Sequence, residues 1–284
     1  MKVSGIRGLV SVHAAVLLFG IVGLFAKLVD LPSVIIVLGR VLFSSLFLLG
    51  YLLVRKQKIR LEGRGDYLRM IAAGVVLAVH WSSFMQAIQS STVAVGTLTF
   101  STFPLFVTFL EPYLFREKLK ASDVACAVIM LVGVVLIVPE FHLENSMTQG
   151  VLWGLLSALT YAVLSLMNRK FSGKYPAAVV SFYEQACASV VLLPSLFVLR
   201  PEITAKDVAV LVMLGVVFTA LAHSLFIIGL RTVKVQTAGI ISGLESVYGI
   251  AAALLFLGEV PGIREIAGGV IILGVVFYST MKAK

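Results

Sequence analysis

The sequence predicts an all-α polytopic membrane protein in which ten transmembrane helices form two inverted five-helix repeats. Three observations carry that expectation. Of the 284 residues, 60% are hydrophobic and 13% charged, about half the charge of an ordinary soluble domain, and the mean hydropathy is +1.05. Apolar runs recur along the chain at the length a bilayer demands. The second half of the chain then repeats the pattern of the first.

The runs fall at 9–30, 33–54, 67–90, 92–115, 121–138, 149–169, 176–199, 207–230, 235–257 and 264–281. Each is close to the roughly 17–25 residues of a membrane-spanning helix. Strands of a membrane barrel would be about ten residues long and would alternate polar with apolar, so these continuous runs imply a helical bundle. The first run contains His13 and Lys27 and is followed by no small-residue cleavage site, so it reads as a retained span. Cys126 and Cys187 lie inside runs, without metal-ligand spacing, and read as packing residues. No metal and no cofactor is expected.

The net charge of +9 follows topology. Arg55, Lys56, Lys58, Arg60, Arg64 and Arg69 cluster around the turn from run two to run three, Arg116, Lys118 and Lys120 between four and five, and Arg169, Lys170 and Lys174 between six and seven. The alternate loops hold few positive residues, and 139–147 has none. The positive-inside rule then places the basic loops and both termini in the cytoplasm of a multi-pass protein of the cell inner membrane. The partners expected are membrane lipids and a small-molecule solute, with no nucleic acid and with the monomer as the working unit.

At an offset of 142 residues Ser82 falls on Ser224, Phe84 on Phe226, Val93 on Val235 and Glu117 on Glu259. LVGVV at 131–135 matches ILGVV at 272–276 after one deletion. Phe19 meets Tyr161 and Lys27 meets Arg169; after a two-residue loop insertion Pro32 meets Pro176 and Arg40 meets Glu184. The chain thus divides into halves 1–143 and 144–284. Because five is odd, the second half enters the membrane in the opposite sense, and the repeats are related by a pseudo-two-fold axis in the membrane plane.

Polar residues inside the runs are the candidate site, because ionisable groups in a bilayer are costly and face a cavity or a partner. In LAVHWSSFMQAIQSS (77–91), His80 lies roughly 20 Å into its helix, past the midplane. His80, Ser83 and Phe84 share one face that suits a cavity wall, with Trp81 about 100° round. The alternative has His80 bonding a neighbouring helix and Trp81 packing. Arg40 and Glu184 lie within about 6 Å of each other in depth, so they could bind the two ends of a zwitterion, neutralise each other, or serve structure and gating. Pro104 reads as a kink or hinge. Glu245 sits near mid-membrane with no obvious partner and could line a substrate or proton path. Tyr161, Tyr183, His223 and Ser242 extend the polar wall, and each reads equally well as packing. Glu111 reads as interfacial. Gly20, Gly23, Gly239, Gly243, Gly268, Gly269 and Gly274 suit close helix approach.

Arg40 after the Pro32 turn, Pro104 before Glu117 with a Gly133 helix behind it, and the matching Glu245, Glu259 and Gly274 resemble the drug/metabolite transporter superfamily, EamA type. The resemblance covers essentially the whole chain. Within it, His80 and the aromatic residues of the third run make the chain most similar to the YddG-type bacterial amino-acid exporters. The resemblance implies a carrier whose central cavity is lined by helices one to four and six to nine, with helices five and ten outside. The function expected is secondary transport that exports amino acids, aromatic or other neutral ones, or related small metabolites by alternating access. A passive channel-like facilitator is the alternative. HExxH, GxSxG and the nucleotide-binding P-loop do not occur, which argues against an intramembrane enzyme or an ATP-driven pump.

Overall fold

The computed structural model describes residues 2–115, 121–138, 142–171, 174–230 and 241–282, and the regular elements among them are helices. They are α1 (Lys2–Leu28), α2 (Ser33–Val54), α3 (Arg64–Ser90), α4 (Val93–Phe100), α5 (Phe103–Phe115) and α6 (Ala121–Ile137). The second half contains α7 (Ser146–Phe171), α8 (Ala177–Leu192), α9 (Pro194–Leu199) and α10 (Ala205–Gly215). A π-helical turn (Val216–Leu221) leads into α11 (Ala222–Leu230), followed by α12 (Leu244–Leu257) and α13 (Ile263–Lys282). Glu117 and Gly239 lie outside the described residues, as does the side chain of Glu111.

Six stretches are long and apolar enough to cross a membrane by length and composition: 6–28, 33–54, 64–90, 146–168, 177–199 and 205–226. Shorter apolar helices cover 93–107, 124–137 and 244–257. Several runs that read as single spans are broken, and each break has a local cause. Between α4 and α5 the Ser101 and Thr102 hydroxyls donate to the Thr97 and Thr99 carbonyls at 3.0 and 2.6 Å. Pro104 then takes the second position of α5, where its missing N–H costs nothing. Pro194 separates α8 from α9 in the same way. In the π turn the Thr219 hydroxyl donates to the Leu214 carbonyl at 2.8 Å, a side-chain bond that competes with the regular ladder. Pro32 and Pro176 open α2 and α8 with nearly identical backbone angles, φ −55°, ψ 143° and φ −57°, ψ 138°.

Helix approach relies on glycine where backbones nearly touch. A methyl group at Gly215 would stand 2.7 Å from Phe43 Cβ and 2.9 Å from the Arg40 carbonyl oxygen. Gly215→Ala should therefore push α10 off α2, and since overpacking costs about 1–3 kcal/mol, the melting temperature of detergent-purified protein should fall by several degrees. An unchanged value would show that this contact yields freely. Gly274, by contrast, has open space where its Cβ would lie and mediates no close approach. Large apolar side chains of α6 and α13, such as Val128, Val132, Val135 and Val270, stand exposed, as a lipid-facing surface requires.

Polar contacts tie both ends of the bundle. Away from the basic loops, Lys27 Nζ donates to the Ser91 carbonyl at 2.6 Å and Gln89 donates to the Leu31 carbonyl at 2.9 Å. Glu259 accepts from Val93 N at 2.9 Å, and Thr92 donates to Glu265 at 2.8 Å. Glu259 therefore satisfies an open amide at the start of α4. At the basic-loop end, Asp66 of α3 accepts from Lys174 Nζ and from the Tyr175 hydroxyl, both at 2.7 Å. The Tyr175 oxygen in turn accepts from Glu62 N at 2.9 Å. The Asp66 hydrogen bond, aided by Glu62, holds the Lys174 ammonium above its ordinary range. A raised lysine pKa stabilises the fold below the ordinary lysine value, and that contribution disappears as the pH rises through the raised one, so the strap is complete at neutral pH. Asp66→Asn should lower the melting temperature at pH 7 by a few degrees. No change would mean that the strap does not hold α3 to the α7–α8 turn.

Candidate functional site

Most of the candidate polar residues converge on one cavity of about 330 Å³ within the bundle. Arg40 comes from α2, His80, Trp81 and Phe84 from α3, and Tyr161 from α7. His223 comes from α11, Ser242 and Glu245 from the start of the α12 segment, and Pro104 from the α4–α5 break. Phe19, Phe100, Phe103 and Phe226 complete an aromatic lining. The rings form a chain of tilted and edge-on contacts: Phe84 to Phe100 at 5.4 Å, Phe100 to His80 at 5.4 Å, His80 to Tyr161 at 5.0 Å, and Tyr161 to Phe103 at 4.9 Å.

Arg40 is the fixed charge of this cavity. Its Nε donates to the Thr219 hydroxyl at 2.6 Å, and its guanidinium carbon lies 3.9 Å from the centre of the Trp81 ring. The π turn thus does local work: Thr219 donates backwards to Leu214, which leaves an oxygen lone pair for Arg40. The cation rests on the aromatic face, an arrangement that gains strength away from water. Glu245 lines the same cavity as Arg40, with no ion pair between the two among the described residues.

Mutual neutralisation of Arg40 and Glu184 was one of the readings that inverted symmetry suggested. Among the described residues Arg40 and Glu184 form no ion pair. Glu184 lines a second cavity of about 320 Å³ that runs between α3, α7 and α8 to Tyr175. Equal depth and equivalent helix faces did not bring the two charges together. Arg40 turns toward the π turn, while Glu184 sits where Gly74 lets α3 approach α8.

Two other candidates lie off the cavities. Ser83 donates to the Val79 carbonyl of its own helix, the usual way a serine hydroxyl is satisfied inside a membrane helix. Tyr183 packs edge-on against Tyr67 at 5.7 Å and against Phe182 at 5.3 Å. His80 joins both readings considered for it: it lines the cavities, and its Nδ1 lies 2.9 Å from both the carbonyl and the hydroxyl oxygen of Ser157 on α7. His80, Trp81, Tyr161 and His223 line both cavities and so form the layer between them.

Several lining residues went unsuggested. Asn168 and Gln185 were visible as amides inside apolar runs, as was Thr219, which bonds Arg40 without lining either cavity. Phe19, Phe100 and Phe103 carried no signal, because phenylalanine occurs in most of the runs.

The sequence pattern of the EamA-like transporter family matches the chain twice, over residues 6–138 and 148–281. The chain is 25% identical over 265 residues to an uncharacterized transporter, YxxF, of Bacillus subtilis, a match spanning 91% of this chain and 84% of the relative. It is 26% identical over 249 residues to the pseudopaline exporter CntI of Pseudomonas aeruginosa, across 86% and 84% of the two chains. It is also 25% identical over 249 residues to the S-adenosylmethionine uptake transporter of Rickettsia conorii, across 86% and 82%. A crystal structure aligned over 99% of this chain and 97% of its own has a TM-score of 0.66 at 17% identity, a likeness of fold.

Proposed function

We propose, for a chain that belongs to the EamA-like transporter family, that it is a secondary transporter exporting amino acids or related small zwitterionic metabolites by alternating access. The observation that carries this reading is the 330 Å³ cavity, which sets one cation, Arg40, and one carboxylate, Glu245, among aromatic rings. A zwitterion with an apolar side chain presents the complementary groups: a carboxylate for the guanidinium, an ammonium for Glu245, and surface for the rings. The halves 1–143 and 144–284 act as inverted repeats, a reading supported by the two family matches and by the matching proline caps of α2 and α8. The basic loops and termini face the cytoplasm of the inner membrane, and the monomer is the working unit. The specific likeness to YddG-type exporters, and with it the preference for aromatic or neutral amino acids, rests on His80 and its aromatic surroundings.

Proteoliposomes preloaded with unlabelled amino acids supply the test. Labelled phenylalanine, leucine and glutamate added outside should exchange unequally and saturably, with the neutral residues favoured. Flux that never saturates would indicate a channel, and a panel without any exchange would overturn the amino-acid reading. Orientation has its own test. A cysteine placed in 142–147 should react with an impermeant thiol reagent in whole cells, whereas one in 57–65 should not, and the reverse pattern would invert the assignment.

A further inference from the structure

We propose that Asn168, Glu184 and Gln185 form a subsite for a protonated amine in the second cavity. The proposal rests on the transporter reading and deepens it. All three side chains line this cavity, Asn168 from α7 and the other two from α8. Glu184 is 7% exposed and Gln185 3%. Yet Glu184 Oε1, Gln185 Oε1 and Asn168 Oδ1 have no hydrogen-bond partner among the described residues. Asn168 spends its amide on Glu184, which leaves its own oxygen as a pure acceptor.

Three oxygens without a donor, one of them a carboxylate oxygen, therefore belong to side chains that line one cavity. Buried carboxylates are ordinarily paired, and buried acceptors ordinarily filled. Among the described residues no cation does this here. Arg40 is engaged by Thr219 and Trp81, and Lys174 by Asp66 and Glu62. A water molecule would bring two donors and no charge. An alkylammonium brings three N–H donors and one positive charge, which matches the acceptors in number and neutralises the carboxylate.

The neighbourhood also suits the rest of such a ligand. Trp81, Tyr161 and His223 line this cavity as well as the one holding Arg40. An amine held at Glu184 would lay its apolar body against those rings.

The test uses the purified full-length chain in detergent and two probes of one shape, 2-phenylethylamine and the uncharged 2-phenylethanol, with binding followed by calorimetry at pH 7. The amine should bind more tightly than the alcohol by about tenfold or more, the scale of a charge-assisted hydrogen-bond set. Glu184→Gln keeps the shape and should erase that preference while leaving alcohol binding unchanged. Gln185→Met removes one acceptor at similar volume and should weaken amine binding about threefold to tenfold; it carries the same test should Glu184→Gln fail to fold. An amine that binds no better than the alcohol, or equally well to both variants, would overturn the subsite. So would sodium chloride alone, should it stabilise the wild type but not Glu184→Gln, since the acceptors would then hold a metal ion. Amino-acid exchange by the wild type tests the transporter reading separately, and it survives any of these failures.

Discussion

Arg40→Met is expected to abolish amino-acid exchange and to lower the yield of folded protein, and adding Glu245→Gln should recover the yield without recovering exchange. Arg40 is 4% exposed, and Glu245 is the carboxylate that lines the same cavity. Removing one of two opposite charges in a buried cavity leaves the other uncompensated, at a cost of up to about 3–5 kcal/mol, whereas removing both costs far less. Exchange would stay lost in the double variant because neither end of a zwitterion then finds its counter-charge. The decisive control is Arg40→Met with Glu184→Gln. That combination should recover nothing, because Glu184 lines the other cavity. Recovery by Glu184→Gln in place of Glu245→Gln would mean that the symmetric pair is the real one. Size-exclusion profiles and melting temperatures would measure the yield, and proteoliposome counterflow the exchange.

The second large effect is expected at Trp81. A water-lined wall would tolerate truncation, but this ring is 8% exposed and carries the Arg40 guanidinium on its face at 3.9 Å. Trp81→Ala therefore removes a buried aromatic, worth about 3–5 kcal/mol, together with a desolvated cation–π contact of about 2 kcal/mol. Exchange of phenylalanine should fall by an order of magnitude or more, and the melting temperature should fall with it. Trp81→Phe keeps an aromatic face and should restore most of the stability. A Trp81→Ala protein with both normal stability and normal exchange would remove this ring from the site. His80→Ala should act more evenly across substrates, because His80 is held to Ser157 and lines both cavities.

How much of this was legible in advance differs by residue. His80, Trp81, Tyr161, His223, Ser242 and Glu245 stood out because a polar group deep in an apolar run must be compensated, and the cavity compensates them together. Ser83 and Tyr183 stood out for the same reason but are satisfied otherwise, Ser83 by its own helix and Tyr183 among Tyr67 and Phe182. Polarity in a run signals that a partner exists and leaves open whether that partner is substrate, water or a carbonyl four residues back. The breaks at Ser101–Thr102 and in the π turn were hidden for a related reason. Hydropathy averages over a window, whereas a helix is interrupted by single hydrogen bonds such as Thr219 to Leu214.

By itself the sequence determined the solvent, the all-helical multi-pass character and the family, because each follows from properties summed along the chain: apolar run length, charge placement and a motif repeated across two halves. Only the tertiary structure decided that Arg40 answers to Thr219 and Trp81, and that Glu184 lines a separate cavity. Inverted symmetry equates positions within the two halves, but which side chains meet depends on how closely the helices pack and how each turns about its axis. At this site those were set by Gly74, Gly215 and one π-helical turn.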